Sequence, residues 1–193
     1  LIGLGGVGAT DPVSCVFSGL NVAPRLADPK VTSVGKDDAI PTFTWSAGNG
    51  GDYPNDSFVV ELRDASGNAL LAASKAQEGT SYKPPAADWL KALRNSEGTL
   101  RVAVVGTQTA EPVTGPYRSC MSSIDVKALA DAGGPYSGTT AKALSLDASA
   151  SVVPGGTIAS YEWDFDGDGK YDLTTTTPTT THVYGSPFAG TLK

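Results

Sequence analysis

The chain has 193 residues, with 14 Lys and Arg against 20 Asp and Glu, a formal charge of −6 and a pI near 4.6. Its basic residues are scattered, which excludes the clustered positive footprint of a nucleic-acid partner, and no run approaches the ~20 apolar residues of a membrane span. The 23 Gly and 13 Pro punctuate short runs rich in Val, Thr and aromatics, the composition of an all-β chain whose length suits two small domains.

Residues 1–12 read as a linker or leader remnant. Gly3, Gly5 and Gly8 formally satisfy G-x-G-x-x-G, but only two residues precede them and Asp11-Pro12 follows. A dinucleotide site needs a strand before the glycines and a helix N-terminus after them, so the nucleotide reading fails. A start without Met, directly in apolar residues, suggests that the sequence begins partway through its gene product.

Residues 13–127 read as a first β-sandwich. Ser14–Leu20 and Lys30–Val34 are short strand candidates separated by Pro24 and Pro29. Ile40–Ala47 alternates, with Phe43 and Trp45 on one face. Ser57–Arg63 and Ala69–Ser74 flank Asp64-Ala65-Ser66-Gly67-Asn68, a hairpin signal. After Pro84-Pro85, Ala86–Asn95 carries Trp89, Leu90 and Leu93 at helical spacing and predicts one short helix. Thr99–Val105 and Tyr117–Val126 predict the closing strands. Asn55-Asp56-Ser57 is an N-glycosylation pattern.

The two cysteines, Cys15 and Cys120, stand near the ends of this region. So placed, they can clamp its first and last strands, closing a loop of about 100 residues that stabilises by roughly 4–5 kcal/mol in the chain-entropy model. The bridge needs an oxidising compartment; in a reducing one the same residues are two buried thiols.

Lys127–Ala132 is a short link, which predicts a fairly stiff tandem. Residues 128–193 centre on Tyr161–Asp172, Y-E-W-D-F-D-G-D-G-K-Y-D. Tyr161, Trp163 and Phe165 alternate with Glu162, Asp164 and Asp166, predicting an aromatic face toward a core and an acidic face toward water. Asp166-Gly167-Asp168-Gly169 then breaks the strand. Thr174–Thr181 predicts an exposed strand and turn.

This stretch resembles the centre of the polycystic kidney disease (PKD) domain, an immunoglobulin-like β-sandwich. Ala132-Gly133-Gly134-Pro135-Tyr136, Leu144–Ser151 and Gly155–Ser160 precede it, and Thr181-His182-Val183-Tyr184 follows, in the family's order across about a third of the chain. The family's W-D-F-G-D-G appears here as the longer, more acidic W-D-F-D-G-D-G, and its final G-x-Y-x-V-x-L-x-V strand is missing by Lys193. The resemblance implies a second sandwich lacking its last strand, to be completed by further chain or by a neighbouring subunit through β-augmentation. Residues 13–127 are similar, more weakly and in layout only, to a fibronectin type III or related immunoglobulin-like module: Pro41-Thr42-Phe43-Thr44-Trp45, a hairpin, Thr80–Pro85 and Arg101–Val105 follow in that order. The fold class is thus all-β, two tandem immunoglobulin-like sandwiches. Low Lys content, abundant Thr and Ser, and the PKD resemblance favour the oxidised form of Cys15 and Cys120.

Chemistry-bearing residues are few. Asp164, Asp166, Asp168 and Asp172 occupy positions 1, 3, 5 and 9 of an EF-hand-like loop, with Gly169 at 6 and the Lys170 carbonyl at 7, a spacing that can converge hard oxygens on Ca2+. Position 12 is Thr175 instead of the bidentate Glu, so a purely hydrogen-bonded turn is the competing reading. His182, the sole histidine, reads as a packing or surface residue rather than a ligand. No serine sits in an activating motif, and the carboxylates crowd one turn around which a substrate cleft is not expected. Tyr53, Tyr117 and Tyr136 are scattered candidates for a glycan platform, against the simpler reading of each as an ordinary partly buried tyrosine. The expectation is a non-catalytic, extracellular structural or adhesive module of a bacterial surface protein, a stalk or appendage component. Its partners would be adjacent domains or subunits, or a protein or glycan ligand. Alternatives are an accessory region of a secreted hydrolase and a tail or filament subunit.

Overall fold

The computed structural model describes residues 23–29, 31–48, 54–110 and 113–190. Two compact units divide the chain, Leu1–Lys127 and Ala128–Lys193.

In the first unit the described strands are β1 (Arg25–Leu26), β2 (Ser33–Val34), β3 (Phe43–Ser46), β4 (Ser57–Arg63), β5 (Leu70–Ala73), β6 (Ser81–Tyr82), β7 (Thr99–Gln108), β8 (Thr114–Arg118) and β9 (Ser122–Val126), with helix α1 at Ala86–Arg94. One sheet has the order β1-β3-β6 and the other β2-β9-β7-β4-β5, with β8 also on β7. Apolar alternation explains the layering. Phe43 and Trp45 of β3 and Phe58, Val60 and Leu62 of β4 are buried, and the Trp45 and Phe58 rings meet at 5.7 Å. Leu100, Val102 and Val104 of β7 complete this core.

The hairpin between β4 and β5 turns as its sequence demands. Gly67 has φ +77°, and the Asp64 carboxylate accepts the Ser66 hydroxyl and the Ala69 amide. Glu61 joins Arg63 of its own strand and Arg118 of β8, each at 2.9 Å. Burial pushes the Glu61 carboxyl upward, but the two guanidinium groups outweigh it and hold its pKa below the ordinary value. Helix α1 follows two prolines, carries Asp88 in its first turn and Lys91 and Arg94 in its last, and buries Trp89, Ala92 and Leu93. Trp89 packs on Phe43 at 6.2 Å.

Several expectations change. Lys30–Val34 contracts to the two residues of β2, which pairs parallel with β9. Tyr117–Val126 is two strands, because the Ser119 hydroxyl accepts the Val104 amide and takes a ladder position from the backbone. Cys120 therefore lies between β8 and β9 instead of within a strand. The predicted strand Ser14–Leu20, the glycines of residues 1–10 and Cys15 lie outside the described residues, and with Cys15 so does its expected bridge to Cys120.

The second unit contains β10 (Ala143–Asp147), β11 (Tyr161–Trp163), β12 (Leu173–Thr175) and β13 (Thr179–Val183). β10 pairs antiparallel with β13 from Ala143↔Val183 to Asp147↔Thr179, and β11 pairs antiparallel with β12. Leu146, Ala148, Trp163 and Phe165 form the core, with Tyr136, Leu144 and Tyr161 packed against it. Most of the expected link belongs to this unit. Leu129 is fully buried and exchanges both backbone hydrogen bonds with Val152, and the Asp131 amide donates to Ser151 Oγ. The Tyr136 hydroxyl donates to the Ala132 carbonyl and accepts the Asp147 amide, each at 2.8 Å. Gly133, at φ +74°, permits this knot, since a Cβ there would collide with the Tyr136 hydroxyl and the Asp147 carbonyl.

Candidate metal centre and adjoining pocket

The acidic turn begins where β11 ends. The predicted aromatic face is correct for Trp163 and Phe165, both buried, but Asp164 does not face water: it is 1% exposed. The strand stops at Trp163, so the period-two rule no longer governs the next residue. Asp164 instead folds under the turn, its Oδ1 accepting the Gly167 amide at 2.6 Å and its Oδ2 the Gly169 amide at 2.9 Å. Gly167 and Gly169 hold positive φ, +77° and +88°, which aims successive amides inward. Burial raises the Asp164 carboxyl, but the amides of Gly169, Gly167, Asp168 and Asp166 outweigh it and hold its pKa below the ordinary value.

The remaining carboxylates follow the same pattern. Asp172 Oδ2 accepts the Phe165 amide at 2.8 Å, Asp166 Oδ1 the Asp168 amide at 3.0 Å, and Asp168 Oδ1 the Lys170 amide at 2.7 Å. Asp164, Asp166 and Asp172 each bring one oxygen within 4.8 Å of the others, a separation that one hard cation with ~2.4 Å bonds can bridge. Asp168 is not in this group; its other oxygen faces the Lys170 ammonium at 3.7 Å. Lys170, expected to act through its carbonyl, meets Asp168 through its amide and ammonium. Thr175, at position 12, accepts the Trp163 indole N–H at 3.1 Å, so its hydroxyl serves the core. The turn thus gathers oxygens from three aspartate side chains instead of the four expected.

No substrate cleft was expected around these carboxylates, and what lies beside them is an open concavity that would not enclose a small molecule. An open pocket of about 410 Å³ flanks the turn, lined by Phe165, Asp166, Asp172, Leu173, His182, Tyr184 and Phe188. His182, Tyr184 and Phe188 lie close together in sequence, but Phe165 is 17 residues before His182 and only the fold brings it to them. His182 stacks on Phe165 at 4.1 Å and meets the edge of Tyr184 at 4.4 Å, which bears out its reading as packing.

Other sequence candidates resolve simply. Asn55 is buried and donates its amide to the Ala47 carbonyl at 2.8 Å, so the glycosylation pattern presents no accessible acceptor in the folded protein. Tyr117 is half-buried, Tyr136 is tied into its hydroxyl knot, and Tyr53 lies outside the described residues. Among the described residues no helix is long and apolar enough to cross a membrane.

Two β-layers around an aromatic core, with turn carboxylates engaged by backbone amides, define an immunoglobulin-like module. Residues 126–189 match the model of the PKD domain family, and the second unit is a PKD domain. Such domains form a family of non-catalytic, typically extracellular immunoglobulin-like modules. The match covers a third of the chain and does not reach the body of the first unit. No curated protein matches the chain.

Proposed function

We propose that the chain is a non-catalytic structural or adhesive segment of a bacterial surface protein, working outside the cell as a tandem of sandwich modules. The observation that carries this reading is the second unit itself: a PKD domain whose buried Asp164 holds a turn through two backbone amides and whose histidine is packed between aromatic rings. The reading includes a Cys15–Cys120 bridge formed on export. Labelling intact, non-permeabilised cells with an antibody to this chain, then counting thiols in the captured protein, tests it. Surface labelling with no free thiol is the expected result; a chain reached only after permeabilisation, with two free thiols, refutes it.

Calcium is the proposed structural ion of the acidic turn, held by Asp164, Asp166 and Asp172. The amides already gather these oxygens, so the ion adds stiffness to an assembled turn, with the affinity of extracellular modules, Kd on the order of 10⁻⁴–10⁻³ M. In thermal melts, calcium at ten times that Kd should raise the second unit's midpoint by about 5–10 °C relative to chelator. Asp166→Asn together with Asp172→Asn should remove the shift. An identical midpoint with and without calcium refutes the ion.

A further inference from the structure

We infer that the pocket beside the acidic turn receives the guanidinium of an arginine on a partner polypeptide. The wall is aromatic and continuous. His182 stacks on Phe165, Tyr184 meets His182, and Phe188 lies parallel to Tyr184 with centroids 5.2 Å apart. Phe188 is 42% exposed and Leu173 36%, an apolar surface that a partner would cover.

The rim carries the opposite character. Asp166 and Asp172 line the pocket, and each gives one oxygen to a backbone amide. The second oxygen of each has no hydrogen bond or ion pair among the described residues. Lys170, the nearest cation in sequence, faces Asp168. Burial raises the Tyr184 hydroxyl above its ordinary pKa, and the charges of Asp172 and Asp166 raise it further, so both carboxylates bear on the pocket's interior. Tyr184 donates its proton to the Phe165 carbonyl at 2.9 Å and is held in place.

An aromatic wall under two acceptor oxygens suits a flat cation. Guanidinium can lie on a ring face while its fork of N–H groups reaches both carboxylates; an ammonium is more strongly hydrated and stacks less well, and an anion is repelled. The pocket is open, which fits a side chain presented from a neighbouring polypeptide surface better than a small molecule needing enclosure. The inference rests on reading the second unit as an interaction module. It shares Asp166 and Asp172 with the proposed ion but does not require that ion.

The test is an NMR titration of the isotope-labelled chain, in chelator, with blocked Gly-Arg-Gly, Gly-Lys-Gly and Gly-citrulline-Gly peptides. Expected are saturable shifts at Phe165, Leu173, Tyr184 and Phe188 with arginine, about fivefold weaker binding with lysine, and no saturation with the neutral isostere citrulline. Phe188→Ala and Asp166→Asn, both at exposed residues, should each weaken arginine binding by about fivefold while the second unit stays folded. Equal response to arginine and citrulline, no saturation by about 50 mM peptide, or saturation with a neutral oligosaccharide but not arginine overturns the assignment. Adding calcium separates the two readings. Arginine binding without any calcium response sinks the ion alone, whereas a calcium response without arginine binding sinks the pocket alone.

Discussion

Replacing Trp163 with alanine is expected to move the second unit's unfolding transition to low urea while leaving the first unit's unchanged. The indole is 1% exposed, anchors the cluster of Leu146, Ala148 and Phe165, and satisfies its N–H on Thr175. Truncating a buried tryptophan costs about 3–5 kcal/mol, against roughly 3–10 kcal/mol for a domain this small at typical stability per residue. The truncation therefore consumes a large share of the margin. Urea unfolding followed by amide NMR resonances reads each unit separately. The second unit's signals should broaden or shift to unfolded positions at low urea. Tyr171→Ala, at a residue 62% exposed, is the control and should change stability by less than about 0.5 kcal/mol. A Trp163→Ala protein with an unchanged transition would mean that the aromatic cluster does not hold the unit together.

The second large effect is at Asp164. Asparagine is nearly isosteric, yet its amide group can accept only through one atom, so the amide of Gly167 or Gly169 loses its partner inside the turn. The second unit's midpoint should fall by roughly 10 °C at neutral pH. The pH dependence follows from the sign of the shift. Asp164 has a folded pKa below its unfolded value, so its stabilising contribution is complete above the unfolded pKa of ~3.9 and is lost as pH falls through the folded value. Asp147 is lowered in the same direction, by the Ser149 hydroxyl and amide, and adds to the same acid window. Wild-type and Asp164→Asn melts should therefore keep their full difference from neutral pH down to about pH 4 and begin to converge only below it. Curves that stay parallel below that pH as well would remove Asp164 from the account.

The strands with strong alternation were legible in the sequence. Ser57–Arg63 is β4 to the residue, and Phe43 and Trp45 bury as their spacing demands, because a two-sided strand has only one way to hide its apolar face. The helix was legible from Trp89 and Leu93 after paired prolines. What escaped depends on contacts between distant residues. β1 is two residues held by pairing with β3, and Ser119 breaks a strand through a hydroxyl whose partner lies on β7. At the site, the aspartate spacing located the turn, but extending alternation beyond Trp163 placed Asp164 on the wrong side. Asp168, equivalent to its neighbours on spacing alone, is separated from them by its pairing with Lys170.

Asn55 carries one more consequence. Its side chain lies against Gly106, where an added Cβ would come within 2.9 Å of the Asn55 Cγ, so the amide sits pressed onto β7. Oligosaccharide transfer could reach it only on the nascent chain, before β4 docks, and a sugar attached there would block that docking. In a eukaryotic secretory host the yield of native protein is then set by a race between the transferase and the closing sheet, and Ser57→Ala, which erases the acceptor signal yet keeps the asparagine, tilts that race toward the folded form.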